Sequence, residues 1–159
     1  ILKKKINKIN IKDLNNKKLL ADKVALSASI IAKDNKIRNL VKKFQLNIAY
    51  NPPIKFAGSV LDGRDITSVI MKDAMFKFFI TADLKTRAKR RYLEYKKLKS
   101  KISFKEVLKN LEKRDYLDKN RKNSPLIRTK DSFLINTSKL SKKASFYKIK
   151  AIMDKKIRN

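Results

Sequence analysis

Apolar residues recur along this chain in two rhythms. Ile37, Leu40, Val41, Phe44 and Ile48 fall three and four positions apart, which predicts a helix from an Asp34 N-cap to about Tyr50. Asn51-Pro52-Pro53 ends it. A helix is also expected over about 19–31, and a short basic one over 2–12, with a loop at Asp13-Leu14-Asn15-Asn16 between them. Continuous apolar or aromatic runs at 56–61, 76–80 and 132–136 read as strands. Thr81-Ala82-Asp83 caps a helix running through Arg87, Arg90, Arg91 and Tyr95, and Ser103 caps another, with Glu106 in capping-box spacing. A last helix from about Ser141 carries no chemistry and is expected to pack the core. Strands alternating with helices predict an α/β fold with parallel strands, whose ligands gather at the strands' C-terminal ends.

The helix after Ser103 breaks its own pattern. Phe104, Val107, Leu108 and Leu111 form an apolar stripe, and at about 100° per residue that stripe continues through Asp115 and Asp118. Two readings follow. Either the helix ends near Asp115 and the charges are solvated, or it leaves its core and enters a polar cleft. In the second case Arg114–Asp118 and Asp118–Arg121 pair at helical spacing, and the arginine forks are suited to phosphate or ribose oxygens. Asp62-Gly63-Arg64-Asp65 ends the first expected strand. It is either a plain turn or a place where a cation and a carboxylate meet a ligand.

Composition narrows the chemistry. The 159 residues contain no cysteine and no histidine, which excludes disulfides, imidazole or thiolate metal sites and histidine-based triads. No metal site is expected. At 42% hydrophobic residues, one compact domain, or one domain with a small mobile appendage, is expected rather than a disordered chain. No stretch is long and apolar enough for a membrane span, and a cytoplasmic protein is expected. The net charge of +29 fits a polyanionic partner, either nucleic acid or a nucleotide. Its lysines are spread along the whole chain, which also suits a merely basic surface.

Several segments together resemble the bacterial-type cytidylate kinase family. Asp62-Gly63-Arg64-Asp65-Ile66 followed by Lys72-Asp73-Ala74 is similar to the family's D/E-G-R-D-I/M-G-T-V-V-F-P-D-A segment. Phe79-Ile80-Thr81-Ala82, then Arg87-Ala88-Lys89-Arg90-Arg91-Tyr92, resembles its strand and arginine-rich lid helix. Ile102-Ser103-Phe104, Val107-Leu108, Arg114-Asp115, Asp118, Asn120-Arg121 and Ser124-Pro125-Leu126 match its lid-to-core helix and N-R-x-x-x-P-L ending. Ala28-Ser29 and Ile37-Arg38 match two further positions upstream, so the resemblance covers about residues 19–140 in order.

The resemblance implies a P-loop nucleoside monophosphate kinase-like fold, with a parallel sheet and flanking helices. It implies transfer of the ATP γ-phosphoryl group to CMP or dCMP, with Mg²⁺. The Ser29, Arg38 and Asp65 positions would read cytosine, Arg114 and Asp118 would hold the ribose, and Arg64 and Arg121 would grip the monophosphate. Arg87, Arg90 and Arg91 would act catalytically, closing over the phosphates as lid cations. The expected organisation is 1–28 as the end of the monophosphate-binding insert, 29–84 as core, 85–112 as lid helices and 113–159 as the C-terminal part of the core. A monomer is expected.

The chain also departs from the family. Its only glycines, Gly58 and Gly63, cannot form G-x-x-x-x-G-K-[ST], so the N-terminal strand and P-loop are absent from these residues. With Ile at position 1, an upstream segment is expected to be missing and the chain alone to be inactive. Thr67, Ser68 and Lys72 replace a Gly, a Thr and a Pro of the family, and Asn136 replaces an Asp. A Gly-to-Thr change at 67 predicts strain if that turn needs positive φ. The competing readings are a basic nucleic-acid- or ribosome-binding module and a non-catalytic kinase-like protein.

Overall fold

A computed structural model describes residues 16, 19, 22–31 and 34–158, and it divides into two compact units that meet between Ile66 and Thr67. The expected helix at 2–12 lies outside the described residues, as does the side chain of Ser29.

The first unit carries helix α1 (Asp22–Ile31) and helix α2 (Asn35–Tyr50). Asp34 caps α2 as its sequence predicts: its Oδ1 accepts from the backbone N–H groups of Lys36 at 2.7 Å and Ile37 at 3.1 Å. Residues 56–61 do not form the expected strand. Val60 is fully exposed at 102%, and Ser59 Oγ donates to the Ile48 carbonyl of α2 at 2.9 Å. An apolar run becomes a strand only with a ladder to join, and among the described residues none runs beside it.

The second unit holds strand β1 (Phe78–Thr81), helix α3 (Leu84–Lys97), helix α4 (Phe104–Asn120), strand β2 (Phe133–Asn136) and helix α5 (Lys142–Arg158). The strands pair in parallel, Phe78 opposite Phe133 and Thr81 opposite Asn136. Lys77, nearly buried, ties their starts together by donating to the Lys72 carbonyl and the Asp131 carboxylate. Helices α3 and α4 form a hairpin around Ala88, Tyr95 and Val107, flanked by Tyr92, Ile102, Leu108 and Leu111. Ser103 and Glu106 close the predicted capping box at 2.8 and 3.2 Å.

Two expectations fail here for physical reasons. Helix α5 was expected to pack the core, yet none of its residues is buried. It docks by one flank, on which Ser145, Ile149, Ile152 and Met153 are half-buried, while Phe146 and Tyr147 face outward. Strain at Thr67 is also absent: the residue sits in a π-helical turn (Ile66–Ile70), and among the described residues the non-glycine positions with positive φ are Lys99 and Ser124.

Lys99 ends α3 in a Schellman arrangement. Ser100 N–H donates to the Tyr95 carbonyl and Lys99 N–H to the Lys96 carbonyl, both at 3.0 Å, with Lys99 at φ 55°. Because glycine adopts that conformation without a steric penalty, Lys99→Gly is expected to stabilise the second unit by about 1 kcal/mol. A thermal melt checks this: Tm rises by about 2–4 °C, and a fall refutes it.

Candidate functional site

The polar end of α4 is the feature that the sequence left open between two readings. The helix does not stop at Asp115; it runs to Asn120, and Asp118 lies buried on its inward face. The apolar stripe that docks α4 on α3 therefore carries a carboxylate into the interior. Arg114 Nε approaches Asp118 Oδ2 at 3.9 Å, and Arg121 Nη1 approaches Oδ1 at 3.7 Å. Both distances are too long for direct hydrogen bonds, so the attraction is coulombic and leaves N–H donors for other acceptors.

Arg121 is held from behind. Its Nε donates to the Ser124 carbonyl, and the Leu126 N–H donates to the Asp118 carbonyl at 2.7 Å. Ser124 takes φ 52° immediately before Pro125, a conformation that turns its carbonyl onto Arg121. The terminal Nη2 of Arg121 is buried and has no hydrogen-bond partner. A buried guanidinium N–H without a partner is costly, and an anionic oxygen satisfies it.

The three expected lid arginines have separate partners. Arg87 donates from Nε to the Ala82 carbonyl at 2.9 Å and forks onto both oxygens of Asp115, at 2.9 and 2.6 Å. Arg90 donates to the Thr137 hydroxyl and carbonyl and to the Leu140 carbonyl, at 3.1, 2.6 and 3.1 Å. Arg91 lies over the Tyr95 ring, 4.6 Å from its centroid, and bonds Glu94 at 3.2 Å. Asp115 and Thr137 were assigned no role from sequence. Their partners lie 28 and 47 positions away, beyond any local pattern.

Asp83, the α3 N-cap, also gathers the turn after β2. Its N–H donates to Ser138 Oγ at 2.8 Å, and its carboxylate accepts from Thr86 N–H and Oγ1, both at 2.7 Å. Those Thr86 bonds hold its carboxyl down to about 2.

In the first unit, Arg38 and Asp65, which the resemblance gives as two of the base-reading positions, contact each other. Arg38 Nη2 donates to Asp65 Oδ2 at 2.5 Å, with both side chains mostly buried. Gly63 permits the tight approach of the preceding turn: a Cβ there would lie 2.8 Å from Ile66 Cγ1. Arg64, between them, is exposed. Neither glycine lies in a positive-φ phosphate cradle, and among the described residues no acidic cluster could hold a metal ion. Among the described residues there is thus neither a carboxylate cluster for Mg²⁺ nor a glycine-built cradle for a triphosphate.

A parallel strand pair with flanking helices is an α/β arrangement of the nucleoside monophosphate kinase kind. The family model for cytidylate kinase matches residues 2–155, and the chain belongs to that family. It is 49% identical over 102 residues to a cytidylate kinase of Clostridium botulinum (strain Loch Maree / Type A3), covering 64% of this chain and 45% of the relative. Against the cytidylate kinase of C. botulinum strain Hall it is 44% identical over 119 residues, 75% of this chain and 52% of the relative. Against that of Bartonella henselae (strain Houston 1) it is 39% identical over 146 residues, 92% and 66%. The chain spans about half the length of the first two relatives. Among the described residues, no helix is long and apolar enough to cross a membrane.

Proposed function

We propose that this chain carries the nucleoside monophosphate-recognising part of a cytoplasmic, monomeric pyrimidine-nucleotide enzyme that moves the γ-phosphoryl group of ATP to CMP or dCMP. The observation that carries the reading is Arg121. Its buried Nη2 lacks a partner, its Nε is anchored, and its neighbour Asp118 is buried between two guanidinium groups. Two cations around one carboxylate leave a net positive site for a monophosphate, while the carboxylate suits the hydroxyls of a ribose. In this reading Arg114 and Asp118 hold the sugar, and Arg121 and Arg64 take the phosphate. Asp65, oriented by Arg38, accepts from the exocyclic amine of cytosine, with Ser29 as a further base contact. Residues 85–112 are the lid between core segments 29–84 and 113–159, and Arg90 and Arg91 are its cations, exchanging their present partners for phosphate oxygens on closure. ATP as co-substrate and Mg²⁺ as its ion follow from the family.

Titration calorimetry on residues 1–159 tests the reading with CMP, UMP and an unrelated single-stranded oligonucleotide at two salt concentrations. CMP is expected to bind, and to bind more tightly than UMP. Binding of the oligonucleotide alone, with a steep salt slope, would replace the reading with a nucleic-acid-binding one.

A further inference from the structure

The Arg87–Asp115 contact stands apart from the other ion pairs of the second unit. It is bidentate, it joins α3 to α4, and it engages all three guanidinium nitrogens once the Ala82 carbonyl is included. The Ala82 carbonyl lies one residue beyond β1, so Arg87 ties the strand's C-terminal end and α4 to one point.

Asp115 sits directly after Arg114 and three residues before Asp118 on the same helix. The hairpin's apolar anchor, Val107, lies eight residues earlier, about 12 Å along the axis at 1.5 Å per residue. Apolar contacts such as those of Val107, Leu108 and Leu111 are non-directional and leave a helix some freedom to roll about its own axis. A directional contact about 12 Å away, by the same estimate, removes that freedom. A fork-to-fork pair is the contact type that fixes direction, because both N–H···O bonds must stay coplanar.

We infer that Arg87 and Asp115 form a latch setting the rotation of α4, and hence the aim of Arg114, Asp118 and Arg121. Arg87 is then a positioning residue acting through Asp115, not a ligand of the phosphate. The inference rests on the CMP reading for the identity of the ligand, but not for the latch itself.

Arg87→Lys, Asp115→Asn and the double variant test it, each titrated with CMP by calorimetry and with cytidine by ligand-observed NMR. A latch acts on the whole α4 array, so each single change is expected to weaken CMP and cytidine by the same factor, about tenfold, and the double variant to be no weaker than the worse single. If Arg87 touches the phosphate instead, Arg87→Lys weakens CMP and spares cytidine, and Asp115→Asn leaves both unchanged; that pattern overturns the inference. If the unmodified chain binds no CMP, the CMP reading fails and amide hydrogen exchange judges the latch. Faster exchange over residues 115–120 in Asp115→Asn, with α5 unchanged, sustains it. Unaltered exchange there refutes it.

Discussion

Asp118→Ala is expected to lower CMP affinity by about a hundredfold, a loss of about 3 kcal/mol. The carboxylate lies buried between Arg114 and Arg121 at 3.9 and 3.7 Å. Removing it takes away the acceptor proposed for the ribose and leaves two guanidinium groups facing each other without a counter-charge. Breaking a fully buried ion pair from one side costs about 3–5 kcal/mol, but here the Arg114 side chain is 42% exposed and water compensates part of the loss. A destabilisation of about 1–2 kcal/mol is therefore expected, with Tm lower by about 3–8 °C. Asp118→Asn separates the two effects. It keeps the acceptor oxygen and the volume but drops the charge, so the affinity loss is expected to shrink to about tenfold. Calorimetry beside a thermal melt decides the matter: an Asp118→Ala chain that binds CMP like the unmodified one removes α4 from the site.

What the sequence made legible was mostly local chemistry. Asp34 and the Ser103–Glu106 box announced two helix starts, because a cap is a contact between residues two or three apart. Helical period carried the face of α4 forward to Asp118, but it left open whether the helix reached that far, and the structure runs it to Asn120 with Asp118 buried. Decisions that depend on a distant partner were not legible. Residues 56–61 have a strand's composition but no neighbour to pair with. Helix α5 has a packable face, yet its aromatic pair Phe146 and Tyr147 falls off the docked flank, where they pack on each other at 5.6 Å between ring centroids. The same limit explains the lid arginines. A run of cations announces anion binding, but which of them is held by Asp115, Thr137 or Tyr95 depends on how α3 packs against α4 and the turn after β2.

Asp65→Asn is expected to abolish the preference for CMP over UMP rather than binding as a whole. Cytosine presents an amine donor where uracil presents a carbonyl oxygen, so an ionised carboxylate attracts one and repels the other. An amide carries both an acceptor and a donor and can rotate to suit either base. CMP is expected to lose about tenfold or more in affinity and UMP to lose nothing or to gain, so their ratio moves toward one. Arg38 makes this sharper. It bonds Asp65 at 2.5 Å in a mostly buried setting, which fixes the orientation of the carboxylate. Arg38→Ala should then weaken discrimination without reversing it, because the carboxyl group at Asp65 stays in place while the contact that orients it is lost. Paired titrations of CMP and UMP against both variants read this directly. An Asp65→Asn chain that still favours CMP by the original factor would move base recognition elsewhere in the protein.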